Sequence, residues 1–321
     1  MRGRFAHGSA PVTRVDARWA RSAAARAART AEGGVKGDGG LVLVIGGSRT
    51  YAAPPFLAAL AARRTGVHGV RIAAPPGAAA RQAALEAYLI ATTGPELGAA
   101  AVGLVAEVSA RMGATLTASG AHGRVVWLVG PGLGGSPRAG EVLAALADVR
   151  DGDRSAALVV DGSLGGGESG LRRIRALGPD LVLLNRHEAQ ALLPASAPAP
   201  GRGQGLGPAA LTALTRQTGA VVVAKGTTDL ISDGVRTWDV PAGHPGLARH
   251  GTGDILAGAA AGLLAQALPA VDAAALACHL TGTAGTRLAD RVGPGWLSRE
   301  LIDEVGAALR DLLTQPEPAA S

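Results

Sequence analysis

The sequence predicts an α/β fold, a three-layer sandwich with a mostly parallel central sheet covered by helices on both faces. Three observations carry it. Short β-branched runs recur along the chain and alternate with helical stretches, the order that parallel strands joined by crossover helices require. The runs are continuously apolar, as a strand buried on both faces must be. One helical stretch, DILAGAAAGLLAQAL (254–268), is apolar nearly all round and therefore belongs to an interior.

The elements follow in order. LVLVI (41–45) is the first strand; it runs into a GGS turn (46–48), and APPFLAALAARR (53–64) is the helix behind it. VHGVRIAA (67–74) is the next strand. VVWLV (125–129) ends in GPGLGG (130–135) and leads to the helix RAGEVLAALADVR (138–150). ALVVD (157–161), LVLLN (181–185) and VVVAK (221–225) complete the strands, with LTALTRQTG (211–219) a helix before the last. PASAPAPGRGQGLGP (194–208) reads as a flexible insertion, because its prolines and glycines defeat both regular structures. No internal repeat is present, and PEPAAS reads as a frayed end.

Bulk properties bound the rest. The 321 residues are 47% hydrophobic but only 2% aromatic, so the core is built from Ala, Val and Leu. Cys278 is the single cysteine, which excludes an internal disulfide and a cysteine-based zinc cluster. The net charge of +6 suggests nucleic acid until it is located. Residues 1–32 hold seven arginines against Asp16 and Glu32, a local +5 that leaves +1 for everything else. No basic face with interleaved aromatics follows, so neither nucleic acid nor a membrane is an expected partner. The Arg-, Ala- and Ser-rich residues 1–34 read as a disordered extension, with a transit peptide as the alternative. The main domain is expected over 35–312, a flexible tail over 313–321, and a cytoplasmic location.

Ligands of open parallel sheets lie beyond the carboxyl ends of the strands. Polar residues and glycines gather there: GGS, GPGLGG with Gly132 and Gly134, Asp161, Asn185 with His187, and Lys225. Each alone is weak, since glycine turns after strands are common and a lysine closing a strand is usually solvated. HGTGD (250–254) opens the apolar helix. Asp254 there is either a helix cap or a chemical group beside a phosphate. A Walker loop, a GxGxxG turn with a downstream acid, HExxH and GxSxG are all absent.

In these blocks the chain resembles the ribokinase-like superfamily, and within it the NAD(P)H-hydrate dehydratases. The blocks are VKGDGGLVLVIGGSRTYAAPPFLAALAARRTGVHGVRIAAPP (35–76), VGPGLGG, Lys-Gly-Thr-Thr at 225–228 and HPGLARHGTGDILAG, over roughly residues 35 to 310. Departures are visible. Ala52 stands where the family has Gly, His244 where it has Asn, and His250 replaces the first of two glycines. NRHEAQALL keeps His187 but also resembles the Asn-x-x-Glu of sugar kinases through Asn185 and Glu188.

The resemblance implies a ribokinase-like fold and dehydration of hydrated NADH or NADPH driven by ADP or ATP with Mg²⁺. Asp254 would be the base. Gly251, Thr252 and Gly253 would bind the transferring phosphoryl, and Lys225, Gly226, Thr227, Thr228 and Asp229 the nucleotide. Ala53, Gly132, Gly134, His187 and Asp254 would bind the hydrated cofactor, and Asp161 would order a metal through water. A homo-oligomer, a tetramer by resemblance, is expected. So is a separate NAD(P)H-hydrate epimerase, because about 35 residues cannot hold one. The alternative is a kinase of the same fold acting on a sugar, hydroxymethylpyrimidine or hydroxyethylthiazole.

Overall fold

The computed structural model of the chain describes residues 12–31, 37–75, 88–90, 96–162, 164–194 and 206–314. Most of the 194–208 insertion and the PEPAAS end lie outside them. The strands are β1 (Val12–Arg14), β2 (Leu41–Ile45), β3 (Gly69–Ala73), β4 (Tyr88–Ile90), β5 (Val125–Val129), β6 (Ala157–Asp161), β7 (Leu181–Leu184), β8 (Val221–Ala224), β9 (Asp229–Ser232) and β10 (Thr237–Val240). The helices are α1 (Ala17–Ala31), α2 (Pro54–Arg64), α3 (Ala99–Ser119), α4 (Ala139–Gly152), α5 (Gly167–Leu177), α6 (Arg186–Leu192), α7 (Pro208–Thr218), α8 (Thr252–Ala265), α9 (Ala270–Val292) and α10 (Ser298–Thr314).

One ten-stranded sheet runs in the order β1-β10-β9-β8-β7-β6-β5-β2-β3-β4. Every neighbouring pair is parallel except those of β9, which is antiparallel to both β8 and β10. The chain steps from β2 outward to β3 and then crosses to β5 on the other side of β2. That reversal leaves a crevice at the carboxyl ends of the two strands, where the loops leave in opposite directions.

The apolar strands divide their side chains between two cores because successive residues point to opposite faces. Val42, Val44, Val126, Leu128 and Val159 pack with α1, α2, α8, α9 and α10. Leu43, Ile45, Trp127, Val129, Leu158 and Val160 pack with α3 to α7 on the other face. The three-layer expectation holds. On the second face Trp127 Nε1 donates to Ser109 Oγ of α3 at 2.9 Å, which satisfies the buried indole N–H with a small polar side chain. α3 is long and apolar enough to cross a membrane by length and composition, yet Ala101, Val102, Val105 and Leu116 are buried against this face.

The N-terminal extension needs correction over its described residues. β1 pairs in parallel with β10, and Asp16 Oδ1 accepts the Trp19 N–H at 2.8 Å to start α1. Ala20, Ala23, Ala24 and Ala27 are then fully buried in the first core, while Arg26 reaches Asp272 at 2.7 Å. Alanines spaced three, one and three apart form one helical stripe. That stripe, covered by α9 and α10, outweighs the disorder suggested by the arginine content.

Candidate active site

The carboxyl ends of β2, β5, β6, β7 and β8 and the first turn of α8 surround one cavity of about 1080 Å³. Asp254, Gly253, Gly251 and His250 form one wall, with Lys225, Asp161, Asn185 and Glu188 beside them. Opposite lie Thr50 to Pro54 after β2, the Gly130–Gly135 turn after β5, and the first turns of α4.

The α8 terminus shows what the glycines do. Gly251 is the residue preceding the helix and sits at φ 92°, a left-handed conformation that glycine alone adopts readily. Thr252 opens the helix with its hydroxyl on the Leu247 and Arg249 carbonyls at 2.6 and 2.9 Å. Asp254 is therefore the third helical residue, and no side chain caps this terminus. The cap reading of Asp254 is excluded by position. The lead-in is held rigidly: Arg249 lies 3.8 Å from the centre of the Trp296 ring and donates to the Gly246 and Trp296 carbonyls. His244 Nδ1 accepts the Gly246 N–H at 3.0 Å, the bond a capping Asn would make.

Charge is concentrated at this wall. Lys225 Nζ donates to Asp161 Oδ1 at 2.9 Å, with only 17% and 12% of the two side chains exposed. The ammonium also stands 3.3 Å from where a Cβ on Gly253 would lie, so it faces the α8 terminus. Burial opposes the charge of Lys225, but Asp161, Glu188 and Asp254 outweigh it and hold its pKa above the ordinary lysine value. Asp254 responds in the other direction. Burial first, and then the negative charge of Asp161, push its carboxyl up to about 7 against the pull of Lys225. A carboxylate poised near neutrality in a cavity wall suits a proton acceptor.

The structure brings Asp254, Gly251, Gly253, Lys225, Asp161, Ala53, Gly132 and Gly134 to one cavity. It does not bring all the expected residues there. His187 is exposed and outside the lining, and its N–H donates to Asn185 Oδ1. Asn185 and Glu188 form a reciprocal capping box on α6, which gives the Asn-x-x-Glu pattern a local structural cause. Gly226, Thr227 and Thr228 are exposed and outside the lining. Thr252 turns its hydroxyl into the loop. Asp229 is buried: its Oδ1 accepts the Gly226 N–H at 2.8 Å, and Cys278 hydrogen-bonds its carboxylate. Its carboxylate is thus turned inward and pins the 226–229 turn. Sequence reasoning missed Tyr51, Leu143, Leu164 and Arg173 in the lining. Nothing in their local patterns marks them.

Among the described residues, the donor set does not form a protein cage for a divalent metal: no group of three or more His, Cys, Asp or Glu could hold one. Asp161 Oδ1 is engaged by Lys225 and Glu188 Oε2 by the Asn185 N–H. Mg²⁺ usually keeps several waters and binds through one or two carboxylates plus substrate phosphates. The two acids fit that outer role, and not a protein cage.

The family model described as NAD(P)H-hydrate dehydratase matches residues 42–306. A bifunctional NAD(P)H-hydrate repair enzyme of Pyrobaculum aerophilum is 34% identical over 279 residues, covering 86% of this chain and 51% of its own length. The chain thus spans about half the length of the bifunctional relatives it matches. An ADP-dependent (S)-NAD(P)H-hydrate dehydratase of Cenarchaeum symbiosum is 30% identical over 259 residues, 78% of this chain and 81% of its own. In fold, the ADP/ATP-dependent NAD(P)H-hydrate dehydratase from Bacillus subtilis, co-crystallized with ATP/Mg²⁺ and soaked with CoA, superposes with a TM-score of 0.65. It covers 94% of this chain and 99% of that one at 17% identity. A ribokinase-like superfamily protein from Enterococcus faecalis gives 0.72 at 19% identity, covering 95% and 97%.

Proposed function

The chain belongs to the NAD(P)H-hydrate dehydratase family, and from that premise we propose that it dehydrates (6S)-hydrated NADH and NADPH using ADP or ATP. The supporting observation is Asp254, uncapped at the first turn of α8, with a carboxyl near neutrality beside the Lys225–Asp161 pair. Hydroxide is a poor leaving group at neutral pH, and phosphate is a far better one. The C6 hydroxyl oxygen attacks the terminal phosphorus of the nucleotide while Asp254 takes the hydroxyl proton. With ADP the bond to AMP breaks. The new bond is O–P; the original C6–O bond then breaks, inorganic phosphate leaves with the electron pair, and loss of a C5 proton restores the C5=C6 double bond. The sum is hydrated cofactor plus ADP giving reduced cofactor, AMP and phosphate.

The free N–H groups around Gly251, Thr252 and Gly253 receive the transferring phosphoryl, reinforced by the positive end of α8. Lys225 lies against the nucleotide's phosphates. Ala53, Gly132 and Gly134 contact the hydrated ring. Mg²⁺ carried on the nucleotide would neutralise phosphate charge, with Asp161 and Glu188 holding its waters. The 225–229 turn supports the nucleotide through backbone and Lys225, with Asp229 beneath. Homo-oligomeric assembly and a cytoplasmic setting complete this reading.

The test is direct. Protein, Mg²⁺ and ADP or ATP are incubated with hydrated NADH or NADPH, and the reduced-nicotinamide absorbance is followed. Return of the band together with inorganic phosphate supports the dehydratase. A stable phosphorylated product of a sugar, pyrimidine or thiazole alcohol with no such return would favour a kinase.

A further inference from the structure

We propose that Arg173 binds a phosphate of the hydrated dinucleotide and so sets where its distal half lies. The inference rests on the dehydratase reading above and extends it to the part of the cavity lined by the β6–α5 loop and α5. A cavity of about 1080 Å³ is at the upper limit of single-ligand sites, which run to roughly 1,000 Å³. It has room for a nucleotide and part of a second ligand. The lining also includes Leu133, Ala139, Gly140 and Leu143 after β5, and Leu164 and Arg173 after β6. The small apolar side chains suit a flat ring and bring main-chain N–H groups of the α4 terminus, but no charge.

Arg173 is the charged exception. Its Nη1 donates to the Leu164 carbonyl at 2.8 Å. Among the described residues it has no carboxylate partner, whereas Arg175 on the same helix is paired with Glu168 and Lys225 across the cavity with Asp161. The remaining N–H groups of its guanidinium are therefore available for a phosphate, whose geometry they match. The loop between β6 and α5 is shaped around it. Leu164 holds φ 53°, uncommon for a leucine, and turns its carbonyl onto the guanidinium. A Cβ on Gly165 would stand 2.7 Å from Nη1, so a side chain there would displace the arginine. Electrostatics point the same way. Asp161, Glu188 and Asp254 line the same cavity, so a dinucleotide entering with its own negative phosphates needs a cation to offset them.

The experiment compares Arg173→Ala with the parent in two assays. Titration calorimetry with NADH and with NADPH, which carry the same phosphates as their hydrates, reads binding without turnover. Steady-state kinetics with hydrated NADH, hydrated NADPH and nucleotide read the rest. Loss of a charge-assisted bidentate contact should weaken dinucleotide binding and raise its KM about tenfold or more, with the nucleotide's KM within about twofold. Equal losses for NADH and NADPH assign the pyrophosphate, and a loss confined to NADPH assigns the 2′-phosphate; either supports the proposal. Unchanged dinucleotide affinity overturns it, as does a rise in the nucleotide's KM alone. Absence of turnover in a parent that binds NADPH refutes the dehydratase reading while calorimetry still decides Arg173. If the alanine variant melts early, Arg173→Lys keeps the charge without the fork and should show a smaller loss of the same kind.

Discussion

Asp254 and Asp229 look alike in sequence and differ in what surrounds them. Each closes a short Gly-Thr turn, GTGD and KGTTD. In each, burial raises the carboxyl, to about 7 for Asp254 and about 6 for Asp229. Asp229 is occupied: it accepts the Gly226 N–H and is hydrogen-bonded by Cys278, whose thiol is itself pushed well up by burial and by that carboxylate. Asp254 lines the cavity and receives no side-chain hydrogen bond among the described contacts; its own backbone N–H and the charges of Asp161, Lys225 and Glu188 act on it. A raised pKa alone does not identify a base. A raised pKa with open access makes the better candidate.

The largest expected effect is on turnover. Asp254→Asn keeps size and helix position but removes the proton acceptor, so turnover should fall by roughly 10²–10⁴-fold with nucleotide binding retained. In the parent, activity should decline about tenfold per pH unit below the apparent pKa near 7. A variant within a few-fold of the parent would place Asp254 with Asp229 as a structural acid. Lys225→Ala comes next. It removes the cation between the two glycine turns and leaves Asp161 unpaired, so the nucleotide's KM should rise about 10- to 100-fold. The KM of the hydrated cofactor should move far less. Equal shifts in both would detach Lys225 from the nucleotide.

Asp229→Ala should reverse that pattern. It leaves the Gly226 N–H and the Cys278 thiol without their acceptor, at a cost of about 1–3 kcal/mol of stability. Turnover of the folded fraction should drop only a few-fold. Denaturant midpoints read the first effect and saturating-substrate rates the second; a loss of rate as deep as that of Asp254→Asn would erase the distinction between the two acids.

Much of the fold was legible because apolar runs and the Gly turns that end them are local signals. β2, β5 and β6 begin and end where the sequence puts them, and α2 and α4 shift by one or two residues. α1 was legible too, in the stripe Ala20, Ala23, Ala24 and Ala27, but composition hid the period. The β9–β10 hairpin carries its Asp233-Gly234 turn in plain view, and Asp233 Oδ1 does accept the Val235 and Arg236 N–H groups. At the site, the glycine turns and Asp254 could be placed from sequence because strand ends converge in a parallel sheet. The divergent fates of Asp229 and His187 could not. They depend on Cys278 and on the α6 capping box, contacts set by packing and by which way a loop leaves its strand. Arg173 was likewise invisible among the arginines of RRIR, since helical spacing does not say which one meets a cavity.

The smallest effect sharpens the contrast in stability. A carboxyl whose folded pKa is raised binds its proton more tightly in the native state than in the unfolded one. Its contribution favours folding below the ordinary value of 3.8 and is lost as pH rises through about 7 for Asp254. The gap between those values caps the linked free energy at roughly 4 kcal/mol, and partial solvent access reduces it to about 1–2 kcal/mol. Asp254→Asn removes this titration, and its Oδ1 can still accept the residue's own backbone N–H, so the variant should be more stable than the parent at pH 8 by a few degrees. The difference should shrink toward zero near pH 4. Asp229 has a narrower window, ending near 6, and its substitution by Asn disturbs the bonds that hold its turn. Asp229→Asn should therefore gain less at pH 8 or lose outright. Melting curves of both variants and the parent at pH 4, 6 and 8 test the pair. A parent-like Asp254→Asn at every pH would mean that the carboxyl is not strained by burial, and its poise as a base would have to come from the bound substrates.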